Sequence, residues 1–220
     1  MILNLHKPVG WTSFDVCKKI KSITKEKKVG HGGTLDPFAE GVLIIGTGAD
    51  TKKLNQFNNE IKSYNGSIRL GHLTDTLDTE GKLILKQDVP KISKNLINDI
   101  FKYFIGTYYQ IPPMYSAKKV NGKKLYDYAR NNITIKRKAV RLKIHSLSLI
   151  SFDEEHIYFS VVCSKGTYIR VLGSEIAEKL GTIGYLDSLL RTSVGNFTIN
   201  QSQSIENFES SWKSSIQQKN

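Results

Sequence analysis

Hydrophobic residues recur in two rhythms along this chain, and the two never settle into a regular strand–helix alternation. No other feature limits its fold as tightly. Tyr64, Gly66, Ile68 and Leu70 keep the two-residue phase of a strand, Val140, Leu142 and Ile144 repeat it, and residues 157–163 read as another strand. Val42, Leu43, Ile44 and Ile45 form a short unbroken apolar run, closed by Gly46-Thr47-Gly48, as in a strand buried on both faces. Elsewhere the spacing is helical. Ser13 reads as an N-cap for a helix using Val16, Ile20 and Ile23. Ser93 opens a helix with Leu96, Ile97, Ile100, Phe101 and Phe104 inward, stopped near Gly106, and Ile169, Leu172, Ile176 and Leu180 make a third, ended by Gly181. Helices and strands mixed in this way predict an α+β fold rather than a doubly wound α/β sheet.

The chain has 220 residues, enough to bury a proper core, and shows neither an internal repeat nor a clear linker. One main domain is expected over residues 1–200, followed by a tail rich in Ser, Gln, Asn and Lys. Within that tail Ile205, Phe208, Trp212 and Ile216 step by helical intervals behind Ser204, which predicts a short helix docked on the main body. Cys17 and Cys163 form no CxxC pair and suit a reducing, cytoplasmic setting. The apolar runs are too short to span a bilayer, and the N-terminus lacks the pattern of a signal peptide, so no membrane partner is expected.

Charge points to a polyanion. Lys and Arg number 32 against 20 Asp and Glu, a formal net charge of +12. A folded domain with that excess attracts polyanions through its field and through counterion release. Lysines crowd the end of the first helix at Lys18, Lys19, Lys21, Lys25, Lys27 and Lys28. Over residues 115–145 ten cations, Lys118 and Lys119 among them, accompany a single acid, Asp127, with Tyr115, Tyr126 and Tyr128 interleaved. Solvated faces usually mix signs. Cations that neutralise phosphates beside rings that stack on bases describe a nucleic-acid surface instead.

Other chemistries find little support. The five histidines are scattered without the spacing of a metal site, and residues 75–81 resemble a calcium loop only until Leu77 fills a ligand position. The glycine-rich loop at 29–41 is neither GxGxxG nor a P-loop, so no cofactor is called for. That loop carries Asp36. Leu-Asp-Pro is an ordinary turn sequence, yet the surrounding glycines allow close approach to a ligand, and a carboxylate on a polyanion-binding surface opposes its own ligand. Arg170 sits near a helix start, where a cation is slightly unfavourable, which hints at a specific anion partner.

Several longer motifs occur in order: Lys7-Pro8-Val9-Gly10-Trp11-Thr12-Ser13, Gly30-His31-Gly32-Gly33-Thr34-Leu35-Asp36-Pro37, Arg69-Leu70-Gly71 with Thr74-Asp75-Thr76, Gln110-Ile111-Pro112-Pro113-Met114-Tyr115-Ser116-Ala117-Lys118, Cys163-Ser164-Lys165-Gly166-Thr167-Tyr168-Ile169-Arg170, and Leu189-Leu190-Arg191 before Val194-Gly195. Together they resemble the bacterial TruB family of tRNA pseudouridine synthases. The resemblance implies a mainly antiparallel sheet flanked by helices, with the basic stretch at about 110–145 as an RNA-gripping insertion. It implies isomerisation of uridine at position 55 in the T arm of tRNA, by base flipping and without metal or cofactor. Asp36 would be the nucleophile, Arg170 its ion-pair partner and Tyr64 the residue against the uracil ring. His31 would fill the space left by the flipped base, Tyr168 and Leu189 would line the pocket, and Lys118 and Lys119 would bind RNA.

The chain also departs from the family pattern. Gly32 stands where Thr is usual, which predicts a looser loop, and Leu190 replaces the first Arg of a usual Leu-Arg-Arg. Too few residues follow the last motif for the C-terminal PUA domain of many members, so that domain is expected to be absent. The expected protein is a cytoplasmic monomer with tRNA as its partner. Two other readings fit the same surface: an RNA chaperone that refolds tRNA, and a pseudouridine synthase for another RNA.

Overall fold

The computed structural model describes residues 1–218. In chain order the strands and helices are β1 (Ile2–Lys7), α1 (Ser13–Thr24), β2 (Val29–His31), β3 (Glu40–Thr47), a 3-10 turn (Gly48–Lys53), α2 (Leu54–Asn59), β4 (Lys62–Leu70), β5 (His72–Thr74), β6 (Leu83–Lys86) and α3 (Lys94–Phe104). Then come β7 (Gly106–Gln110), β8 (Lys119–Val120), β9 (Lys123–Lys124), α4 (Leu125–Ala129), β10 (Val140–Phe152), β11 (His156–Cys163), α5 (Ile169–Lys179), β12 (Gly184–Val194), β13 (Phe197–Thr198), a second 3-10 turn (Ile199–Gln201) and α6 (Ile205–Gln217). The described residues form two compact units, residues 1–65 with 189–218 and residues 66–188, and the chain passes between them inside β4 and β12. The α+β class stands in both.

In the first unit β3 is the centre. It pairs antiparallel with β1 from Ile2–Gly46 to Lys7–Gly41, antiparallel with β2, and parallel with β12 at Leu190–Glu40 and Arg191–Gly41. Its unbroken apolar run is explained by burial on both faces. Leu43 and Ile45 join Leu5, Val16, Cys17, Ile20, Ile205 and Phe208 in one cluster, while Val42 and Ile44 join Leu54, Phe57 and Val194 in another. The tail helix α6 therefore docks on this unit, capped by Ser204 as expected, with Ile205 and Phe208 buried and Trp212 packed at the edge. Ile216, in its last turn, is exposed.

In the second unit the strands run β4-β11-β10-β7, with β10 antiparallel to both β11 and β7. Helix α3 packs on β10, and β5–β6 and β8–β9 form separate two-stranded ribbons.

Four sequence expectations change. The N-cap of α1 is Thr12, which forms a capping box with Asp15, and Ser13 is instead buried. Leu96 is exposed, because Ile97, Ile100, Phe101 and Phe104 alone make the inward arc of α3 and Leu96 lies beside the cap. The glycine-rich segment is not loop throughout, since its first three residues pair with β3 as β2. Nor is Gly32 loose: it is buried, its N–H bonds Ile44 O at 2.8 Å, and an added Cβ would sit 3.0 Å from Phe57 Cβ.

Candidate functional site

In the first unit the segment between β2 and β3 presents Asp36, half-buried, with both chain neighbours tied down. Ser13 Oγ donates to Leu35 O at 3.1 Å and accepts from Leu35 N at 2.9 Å. Pro37 O accepts from Gly10 N at 2.8 Å and from Lys7 Nζ at 3.3 Å. Lys7 is fully buried, and its ammonium also donates to Pro8 O and Trp11 O. Two residues before Asp36, Arg191 takes over. Its guanidinium is 1% exposed and donates to Thr34 O, Gly33 O and Val42 O at 3.2, 3.3 and 2.7 Å. Gly41 makes that seat possible. It has φ +110°, and a Cβ there would lie 2.3 Å from Arg191 O.

These contacts fix the backbone on both sides of one carboxylate with two buried cations. Burying a charge costs free energy unless its donors are satisfied, and here backbone carbonyls satisfy them. A segment so held cannot relax away from a ligand without breaking several charge-assisted hydrogen bonds.

Five residues upstream, His31 is half-buried, and its buried Nδ1 makes no hydrogen bond of ordinary geometry among the described residues. Burial, and then the positive charge of Arg191, hold its pKa below the ordinary histidine value, against a smaller opposing contribution from the Gly33 backbone. The imidazole is therefore neutral at pH 7. Tyr64 on β4 and Leu189 on β12 are both buried in this unit.

In the second unit Arg170 is buried at the start of α5. Its Nε lies 3.4 Å from Asp78 Oδ2, and its terminal nitrogens donate to Thr76 O at 2.7 Å and Tyr115 O at 2.9 Å. Asp78, itself 3% exposed, also accepts from Thr76 Oγ1 and Glu80 N. The turn dismissed as a calcium loop is thus the seat of a buried arginine. Tyr168, the N-cap residue of α5, is held through its backbone by one side chain. Gln110 Oε1 accepts from Tyr168 N at 2.8 Å and Gln110 Nε2 donates to Tyr168 O at 3.0 Å.

Lys118 and Lys119 are exposed at the β8–β9 ribbon, where Lys119 faces Lys124 directly. Like charges placed opposite destabilise a ribbon unless an anion lies between them. Lys123 sits 5.0 Å over the Tyr128 ring, and Lys124 and Arg130 sit over Tyr126 at 5.1 and 5.3 Å, so cations and aromatic faces are built into one surface.

Asp36, His31, Tyr64 and Leu189 thus fall in the first unit, the first two on one segment. Arg170, Tyr168, Lys118 and Lys119 fall in the second, the first two at one helix start. Lys7, Arg191, Asp78 and Gln110 were not expected to matter individually. Each lies inside or beside a motif, but burial of a cation or carboxylate leaves no mark in a single sequence.

A family profile and the curated relatives agree on one family. Residues 21–169 match the profile described as TruB family pseudouridylate synthase, N-terminal domain. The tRNA pseudouridine synthase B of Clostridium acetobutylicum is 47% identical over 196 residues, covering 89% of this chain and 68% of that protein. The protein of the same name from Mesoplasma florum is 44% identical over 211 residues, covering 96% of this chain and 74% of its own length. Among solved structures, a chain of a Cbf5-Nop10-Gar1 complex superposes with a TM-score of 0.76 at 26% identity, covering 95% of this chain and 53% of that one. The chain therefore spans about half the length of that structural relative. Among the described residues no helix is long and apolar enough to cross a membrane.

Proposed function

The chain belongs to the TruB family of pseudouridylate synthases, and from that premise we propose that it isomerises uridine to pseudouridine at position 55 in the T arm of tRNA, with Asp36 as nucleophile. The reaction needs no net change in composition. The bond from ribose C1′ to uracil N1 breaks, the detached base turns, C1′ joins C5, and the proton lost from C5 is balanced by one gained at N1.

The observation that carries the reading is the fixation of Asp36. Ser13, Lys7, Gly10 and Arg191 hold the backbone on both sides of it, which aims a nucleophile without spending ligand-binding energy on order. Arg170 is the third catalytic residue in this reading, after Asp36 and Tyr64. What supports it is a guanidinium held on three sides by Asp78, Thr76 and Tyr115. Tyr64 lies against the uracil and serves the C5 proton, and the buried Leu189 helps keep water from the intermediate. A neutral His31 suits insertion into the space a flipped base leaves in an RNA loop. The cationic ribbon with Lys118 and Lys119 supplies phosphate contacts.

Pseudouridine mapping at single-nucleotide resolution on an unmodified tRNA transcript tests the proposal. The expected outcome is modification at position 55 alone. Tight tRNA binding with no modification would favour the refolding activity, and modification confined to another RNA would move the substrate there.

A further inference from the structure

The lysine cluster that ends α1 has no part in the site so far, yet the structure arranges it around a groove. Phe14, Lys18 and Lys21 share one face of α1, at spacings of four and three. Lys27 and Lys28 approach β2 from the following turn, and His31 at the end of β2 completes the wall. The space between them is about 650 Å³, and the whole groove belongs to the first unit.

Three properties set it apart from a solvated basic face. First, the charges are uncompensated. Lys21, Lys27 and Lys28 are exposed and form no ion pair among the described residues. Lys18 is shared with Asp15, Lys19 turns to Glu209, and the carboxylate of Glu26, the one acid among residues 25–28, lies against Gly48. Second, Phe14 is 62% exposed on the same wall, with Lys18 Nζ 4.9 Å from its ring centroid. A largely exposed ring among cations offers a base a surface to stack on. Third, the groove adjoins His31, the residue that the proposed function puts in the space left by the flipped base.

We propose that this groove is an RNA-backbone site: it takes the phosphates of one strand of the T arm on Lys21, Lys27 and Lys28 and a base on Phe14, adjoining His31. The inference deepens the proposed function and rests on its choice of RNA. It assigns to the first unit a phosphate grip separate from the β8–β9 ribbon.

The test measures binding of an unmodified T-arm stem-loop by fluorescence anisotropy across a salt series, with pseudouridine formation followed separately. The triple variant K21A/K27A/K28A is compared with K91A/K94A/K102A, which removes the same charge from around α3. Thermal melts verify that both are folded. Each lost phosphate contact lowers the slope of log affinity against log salt by about 0.7 for a single strand, so the groove variant should lose about 2 and bind about tenfold more weakly or worse at 0.15 M salt. Phe14→Ala should weaken binding about tenfold with the slope intact. The α3 control should keep wild-type slope and activity. Equal losses in both triple variants would mean a diffuse field, and an unchanged slope in the groove variant would mean no contact; either overturns the proposal. Loss of binding in the groove variant alone upholds it even if the wild-type protein forms no pseudouridine, a result that would count against the catalytic reading instead.

Discussion

Among the described residues Arg191 has no carboxylate partner, so its buried guanidinium is satisfied by dipoles, and the three carbonyls around it also hold the approach to Asp36. Removing the side chain leaves those acceptors unpaired inside the protein. Arg191→Met should therefore destabilise the fold by about 3 kcal/mol or more in denaturant unfolding. Arg191→Lys keeps the charge but offers a single point of attachment in place of a fork. It should fold and bind RNA, yet show a fall in kcat with little change in KM. A wild-type kcat in the lysine variant would show that Arg191 supports the fold alone. His31 gives a second prediction with a definite sign. Its pKa is held down in the folded state, so the neutral ring contributes stability above the unfolded value of about 6.5, and that stability is lost as pH falls through the lower folded value. Tm of the wild-type protein should drop more steeply below pH 6.5 than that of His31→Gln. Identical profiles would mean that the ring carries no such penalty.

At the scale of elements, α6 shows a tail helix acting as part of a core. Phe208 is 4% exposed, packs with Ile205 against Leu5 and Ile20, and stacks on Trp212 at 5.9 Å between ring centroids. Phe208→Ala should cost about 3–5 kcal/mol in equilibrium unfolding; a loss under 1 kcal/mol would mean the helix is only loosely docked. This docking was legible in sequence, because the apolar spacing of Ile205, Phe208 and Trp212 is a local property. So were the doubly buried β3 and the strand phase of Tyr64 to Leu70. What stayed hidden depends on partners distant in the chain. Ser13 looks like an N-cap, but its hydroxyl is committed to Leu35, so Thr12 caps α1. Likewise the acidic turn with Asp78 becomes meaningful only when α5 brings Arg170 to it. Asp36 is the reverse case. Its motif marks it, while the local reading of Leu-Asp-Pro as a turn was also reasonable, since only long-range bonds distinguish a pinned turn from a free one.

Across the whole molecule, the net charge of +12 is unevenly distributed. Ion pairs such as Lys53–Asp50, Lys102–Asp99 and Lys213–Glu209 balance part of the surface, each modest in stability. The exposed cations of the β8–β9 ribbon and of the α1 groove remain, and both carry aromatic rings. Under the proposed function, that distribution would attract RNA independently of base identity and would leave selection of the uridine to the segment carrying Asp36 and His31. Binding and chemistry should therefore be separable at one carboxylate. The most direct test is turnover and tRNA affinity measured side by side for wild type and Asp36→Asn, with pseudouridine quantified at position 55 and Tm verifying the fold. The account predicts that Asp36→Asn binds tRNA within a few-fold of wild type and forms no measurable pseudouridine. Appreciable pseudouridine from the folded variant would contradict it, because no other carboxylate has been given the nucleophile's place.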